Sequence, residues 1–200
     1  MIKTIVFDLG GVLIDWNPRY VYRDVFDTEA EIDLFLTHVT TMEWNVAQDA
    51  GRTLKLATQV LTRKHPEWAE EIKLYYDRWP DMLGGAIEGT VDILREIVDS
   101  KKYRVLALTN WSAETFPVAQ KRYEFLGWFE GIVVSGEEKC RKPFPEIYKI
   151  LFDRHNINPE EAIFIDDNPE NVRASKELGM DAILFKSPKQ LRSTLKRYLK

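Results

Sequence analysis

Two hundred residues, 44% hydrophobic and 30% charged, describe an ordinary globular chain with room for one domain or a core carrying a modest insert. A net charge of −4 leaves no basic footprint for nucleic acid, and no apolar run approaches the ~20 residues of a membrane span. A single cysteine excludes an internal disulfide framework, and an acid as early as Asp8 interrupts the apolar stretch of a signal peptide, so the expected location is cytoplasmic.

The chain opens on Met1-Ile2-Lys3-Thr4-Ile5-Val6-Phe7, a short apolar, β-branched run that reads as a buried strand. Asp8 ends it and Leu9-Gly10-Gly11-Val12-Leu13 follows. A carboxylate at the carboxyl end of a strand puts an anion where open α/β sheets bind ligands, and glycine there lets backbone approach a ligand closely.

After Asp15 the period changes, and from about Pro18 to Asp81 every pattern is helical. Ile32, Phe35, Leu36 and Val39 fall at i, i+3, i+4 and i+7, and Leu54, Ala57 and Leu61 repeat that spacing beyond Gly51. His65-Pro66 starts a further helix running to Trp79-Pro80. Gly84-Gly85 then punctuates the chain before Thr90, the expected N-cap of a helix over 91–98.

Beyond that point strands near 103–108, 132–135, 162–165 and 182–185 alternate with helical stretches. One of these stretches carries Phe144, Ile147, Tyr148 and Leu151, and the last carries Leu191, Leu195, Tyr198 and Leu199. Continuous apolar strands alternating with helices predict an α/β fold, a Rossmann-like doubly wound parallel sheet. The core is assigned to 1–16 and 85–200, and a helical insert to 17–84.

Three later features join Asp8 at strand ends. Leu106-Ala107-Leu108-Thr109-Asn110 finishes on a hydroxyl and an amide, and Lys142-Pro143 lies in a polar loop. Ala162-Ile163-Phe164-Ile165-Asp166-Asp167-Asn168 finishes on paired acids. Carboxylates suit a hard cation such as Mg²⁺, a lysine suits phosphoryl oxygens, and Thr109 adds a neutral donor. Asp8 could then attack phosphorus as a nucleophilic carboxylate. Proline at 143 favours an extended backbone that aims Lys142 inward. The bland reading of the acids is helix capping before Pro169, although one side chain suffices for a cap.

In this order the four features resemble the haloacid dehalogenase superfamily, a name that covers mostly phosphatases. The resemblance spans nearly the whole chain and implies a Mg²⁺ enzyme with the insert as a C1 cap over the site. Asp8 matches the aspartate that attacks phosphorus and binds metal, and Gly10 the residue giving its backbone carbonyl to the metal. Thr109 would hold the transferring phosphoryl group, with Gly11 and Asn110 as further phosphate contacts. Lys142 would steady nucleophile and phosphate, and Asp167 would bind the metal, with Asp166 a second ligand or its support. The implied partner is a small phosphorylated metabolite, met by a monomer or weak homodimer without nucleic acid or membrane.

One position departs from the pattern. The family's usual general acid and base stands two residues after the nucleophile, and here that residue is Gly10. Three readings compete: a metal-independent dehalogenase, a degenerate phospho-ligand binder, and a phosphatase that manages without that acid. The acid pair favours the third, as does the likeness to a bacterial branch resembling α-glucose-1-phosphate phosphatase. An anomeric oxygen is a comparatively good leaving group, so a sugar 1-phosphate would suffer least from the loss.

Several other residues are weighed and set lower. Asp15 is read as a loop or capping residue rather than a substitute acid, and Trp16, Trp44 and Trp111 as packing before sugar-pocket walls. Cys140 is an incidental thiol whose neighbours Lys139 and Arg141 would lower its pKa. His38, His65 and His155 share no metal-binding spacing, and Lys196, Arg197 and Lys200 offset the final helix dipole.

Overall fold

In the computed structural model, which describes residues 1–199, the opening run forms β1 (Thr4–Phe7), buried throughout. Ile5 and Phe7 join one apolar cluster and Val6 a second, the alternation of a strand covered on both faces. A tight turn through Gly10 and Gly11 leads into β2 (Ile14–Trp16).

Five helices follow: α1 (Arg19–Tyr22), α2 (Glu29–His38), α3 (Met42–Asp49), α4 (Leu54–Lys64) and α5 (Ala69–Asp77). Threonines start the middle three. Thr28, Thr41 and Thr53 accept the backbone N–H groups of Glu31, Trp44 and Leu56, and the Glu31 carboxylate closes a capping box at Thr28. Ile32, Phe35, Ala57 and Leu61 turn inward as their spacing requires. The Tyr22 ring lies 4.8 Å from Phe35, and Trp44 meets Tyr75 edge-on at 5.0 Å. The helix expected from Pro66 to Pro80 is divided: a 3₁₀ turn (Pro66–Trp68) precedes α5, and another (Trp79–Met82) follows it.

The chain then forms β3 (Leu83–Ala86), antiparallel to β2, with Trp16 opposite Leu83 and Ile14 opposite Ala86. The boundary expected at 84/85 falls inside this strand. Next come α6 (Glu88–Ser100), β4 (Arg104–Thr109), α7 (Phe116–Arg122), β5 (Gly131–Val134) and α8 (Ser135–Glu138). The last elements are α9 (Pro145–His155), β6 (Ala162–Asp166), α10 (Pro169–Glu177), β7 (Asp181–Leu184) and α11 (Pro188–Leu195). The five long-range strands pair in parallel in the order β5-β4-β1-β6-β7, the doubly wound arrangement expected. Val91, Leu94 and Leu191 pack on one face, and Ile147, Tyr148 and Leu151 on the other.

Local corrections follow from packing. The helix expected to start at Thr90 begins at Glu88, because the Ile87 N–H bonds Leu13 O and fixes the entry there; Thr90 is buried inside the first turn. Phe144 is no core residue: it caps α9, is 53% exposed, and lies 5.2 Å beneath the Arg141 guanidinium. Helix α11 ends at Leu195, so Tyr198 and Leu199 pack on the core from beyond it, while Lys200 lies outside the described residues. No helix among the described residues is long and apolar enough to cross a membrane.

Candidate active site

Asp8, Thr109 and Asp166 stand at the carboxyl ends of three adjacent strands, since β1 pairs with β4 on one side and β6 on the other. The chain winds outward through β4 and β5, then returns to β6 and β7, so the winding reverses beside β1. Open α/β sheets form their ligand crevice at such a reversal.

Lys142 reaches this point from the loop after α8, its peptide bond to Pro143 being cis. Its side chain is fully buried. The ammonium donates to Leu108 O at 2.9 Å and Asp166 Oδ2 at 2.7 Å, and meets Asp8 Oδ2 at 2.9 Å. Asn110 holds the lysine backbone in both directions: Lys142 N–H donates to Asn110 Oδ1 (2.9 Å), and Asn110 Nδ2 donates to Lys142 O (3.0 Å). The amide expected to face a phosphate is therefore partly committed to positioning Lys142.

The acids divide by environment. Asp166 is buried and saturated: besides Lys142 it accepts from Asn168 N–H at 2.7 Å, and Asn171 Nδ2 lies 3.1 Å from each oxygen. Asp167 opens toward solvent. Its Oδ2 would lie 2.2 Å from a Cβ at residue 11, where φ is +72°, so only glycine lets loop and acid approach this closely. The Gly11 N–H, expected as a phosphate contact, instead donates to Ile14 O at 2.9 Å. The tight return into β2 uses that donor.

Asp8, Asp166 and Asp167 each offer an oxygen within 4.8 Å of the others, the one such cluster of three or more metal-ligating side chains among the described residues. Two of the three, Asp8 and Asp166, share one ammonium, and Asp167 pairs with none among the described residues. Burial pushes the Asp8 carboxyl up to about 8, Lys142 opposes that, and Asp166 and Asp167 add to it. Burial raises Asp167 too, with Asp166 next in effect. For Lys142 burial acts downward, but Asp166 and Asp8 outweigh it and its pKa rises. An all-oxygen donor set with surplus negative charge fits a hard divalent cation. Thr109 Oγ1 is buried with no hydrogen-bond partner, the condition of a donor awaiting a ligand.

A cavity of about 280 Å³ opens over Asp8, Gly10, Gly11 and Asp167. Trp16 and Trp111 line it as the sugar-pocket reading requires, together with Trp79, while Trp44 packs among tyrosines and donates Nε1 to Ala57 O at 3.2 Å. Asp15 accepts the Tyr20 hydroxyl at 2.6 Å and is not among the lining residues. The thiol of Cys140 is raised rather than lowered, by burial first and then by Glu138 and Glu146. None of the three histidines joins the acidic cluster. Sequence reasoning missed Asn171, Trp79 and Asp49, each of which lines the cavity. Asn171 had a faint signal, an amide in the first turn after the acid pair; the other two had none.

Comparison with known proteins adds independent findings. Residues 2–179 match the family described as haloacid dehalogenase-like hydrolase. A phosphorylated carbohydrates phosphatase of Thermotoga maritima is 24% identical over 183 residues, covering 90% of this chain and 83% of its own. A sesquiterpene phosphatase of Aspergillus oryzae is 27% identical over 178 residues, 89% of this chain and 87% of its own. A HAD family enzyme from Bacteroides thetaiotaomicron, solved with magnesium and inorganic phosphate, has a TM-score of 0.73 at 24% identity, over 94% of this chain and 96% of its own. At that identity the likeness is one of fold.

Proposed function

We propose that this chain, which belongs to the haloacid dehalogenase-like hydrolases, is a Mg²⁺-dependent phosphatase of small phosphomonoesters, sugar phosphates foremost, acting through an aspartyl-phosphate on Asp8. The carrying observation is the charge arrangement: of three converging carboxylates only Asp8 and Asp166 pair with the one ammonium, Lys142, leaving an excess that a bound cation offsets. A halide-releasing enzyme of this family would have no use for Asp167.

Asp8 and Asp167 would hold the ion with the Gly10 carbonyl. Asp166, whose oxygens are occupied by Lys142, Asn168 and Asn171, would support them. When bound, the ion screens the nucleophilic carboxylate from the phosphoryl oxygens. Lys142 orients Asp8 and faces the transferring group, and Thr109 gives its unpartnered hydroxyl to a phosphoryl oxygen. The insert of 17–84 serves as the cap: Asn45 from α3, with Trp16, Trp79 and Trp111, gives the cavity the mixed aromatic and amide lining suited to a sugar. Its volume, about 280 Å³, lies just below the roughly 300–1,000 Å³ common for ligand pockets, which favours a small metabolite.

The test is phosphate release from sugar phosphates, nucleotides and p-nitrophenyl phosphate, with Mg²⁺ and with EDTA. Mg²⁺-dependent release, fastest on a sugar phosphate, is expected. No release from any ester, or release indifferent to EDTA, refutes the reading.

A further inference from the structure

Gly10 leaves the site without its usual proton donor, and nothing lies within 4 Å of where a side chain there would begin. The same cavity is lined by Asp49, the last residue of α3. Its carboxyl has no hydrogen-bond or ion-pair partner among the described residues, although the residue before it is fully engaged. Gln48 donates to the Tyr76 hydroxyl at 2.5 Å and accepts from Arg52 Nε at 2.7 Å, so the nearby arginine serves Gln48. A carboxylate closing a helix also meets the negative end of the helix dipole, which favours its neutral form. Burial pushes Asp49 up to about 7, opposed by Arg141 and Lys142, and Tyr75 and Tyr76 are the other titratable groups that sense it. A carboxyl in that range both gives and takes a proton near neutrality.

We propose that Asp49 supplies, from the helical insert, the general acid and base that the loop after β1 lacks at Gly10. The inference rests on the phosphatase reading. In the first step an Asp8 oxygen bonds to phosphorus, the bond from phosphorus to the leaving oxygen breaks, and the Asp49 proton moves to that oxygen. In the second, Asp49 takes a proton from water as the water oxygen bonds to phosphorus. The bond between phosphorus and Asp8 breaks, inorganic phosphate leaves, and Asp49 ends protonated as it began.

Asp49→Asn is compared with the parent on glycerol 2-phosphate, whose alkoxide needs a proton to leave, and on p-nitrophenyl phosphate, whose phenolate does not. The expected loss on glycerol 2-phosphate is ~10²–10⁴-fold. On p-nitrophenyl phosphate the variant should give a burst of nitrophenolate near one per site and then turn over slowly, as phosphorylated Asp8 accumulates. Adding Gly10→Asp to Asp49→Asn should restore turnover on both substrates, which a folding defect would not allow. Equal rates for parent and variant on glycerol 2-phosphate overturn the role of Asp49 alone, as does equal loss on both substrates with neither burst nor rescue. A parent that releases phosphate from no ester overturns the phosphatase reading, and this inference with it.

Discussion

Thr109→Val separates what the fold needs from what the site needs. The hydroxyl is fully buried and bonds nothing, so in the resting protein it carries a desolvation cost without compensation. An unsatisfied buried polar group costs about 1–3 kcal/mol, and valine replaces the hydroxyl by a methyl of nearly the same shape. The variant should therefore be more stable by about 1 kcal/mol or more, raising Tm by roughly 2–4 °C per kcal/mol in a chain of this size. Activity should move the other way. A donor held for a developing oxyanion is worth ~10²–10³ in kcat, so phosphate release should fall by that factor. Differential scanning calorimetry of metal-free protein and a steady-state phosphate assay with Mg²⁺ read the two effects. Adding inorganic phosphate should raise the Tm of the parent more than that of the variant. A variant that is less stable, or whose activity stays within twofold of the parent, refutes the assignment of Thr109 as a donor kept free for the phosphoryl group.

Asp49→Asn carries a stability signature as well. Because the folded-state pKa is raised, to about 7 from an ordinary 3.8, the folded protein holds this proton more tightly; the stabilisation is present below pH 4 and lost as pH rises through 7. The amide should leave the metal-free variant more stable than the parent at pH 8 by ~1–4 kcal/mol and equal to it near pH 4; urea titrations showing the reverse order would contradict the raised carboxyl of the half-buried Asp49. Gly11→Ala forces a left-handed backbone costing ~1–2 kcal/mol and drives a Cβ into Asp167, so calorimetric Mg²⁺ affinity should drop at least ~10-fold. Lys142→Met leaves Asp8 and Asp166 buried without their cation, a loss of about 3–5 kcal/mol at pH 8 that should shrink in acid as Asp8, whose carboxyl burial raises, takes up a proton. Mg²⁺ at 100 times its Kd should stabilise the parent by ~2.7 kcal/mol, and an unchanged unfolding midpoint would argue against the metal site.

What the sequence made legible follows physical rules. β1, β4 and β6 are buried along nearly their whole length, and β5 and β7 over half of theirs, so their apolar runs stand out, and the last four strands lie within a residue of their expected bounds. β2 and β3 hide because they are three and four residues long and include Gly84 and Gly85. Asp8, Thr109, Lys142, Asp166 and Asp167 were readable as a set because each follows or ends a strand, or lies in the loop beyond one, and a parallel sheet gathers those ends. The turn hydrogen bond from Gly11 N–H to Ile14 O was not legible, because which carbonyl an amide finds in a tight turn is decided in three dimensions. Asp49 and Trp79 lay outside reach for a related reason: helical periodicity tells which face packs, and says nothing about which end overhangs a distant strand.

The pairing of Trp16 with Leu83 sets the two ends of the intervening helices about one strand spacing apart, ~5 Å. To the sheet, sixty-odd residues thus look like a hairpin loop, and any polypeptide with ends that close could be carried there without shifting the register of β1 or β4. The helices are in that sense an exchangeable cassette on a fixed hydrolytic engine. If Asp49 acts as proposed, the cassette carries part of the engine with it. An unrelated insert spliced in at 17–82 would inherit the nucleophile and the acids but no proton shuttle, unless Gly10 changed at the same time.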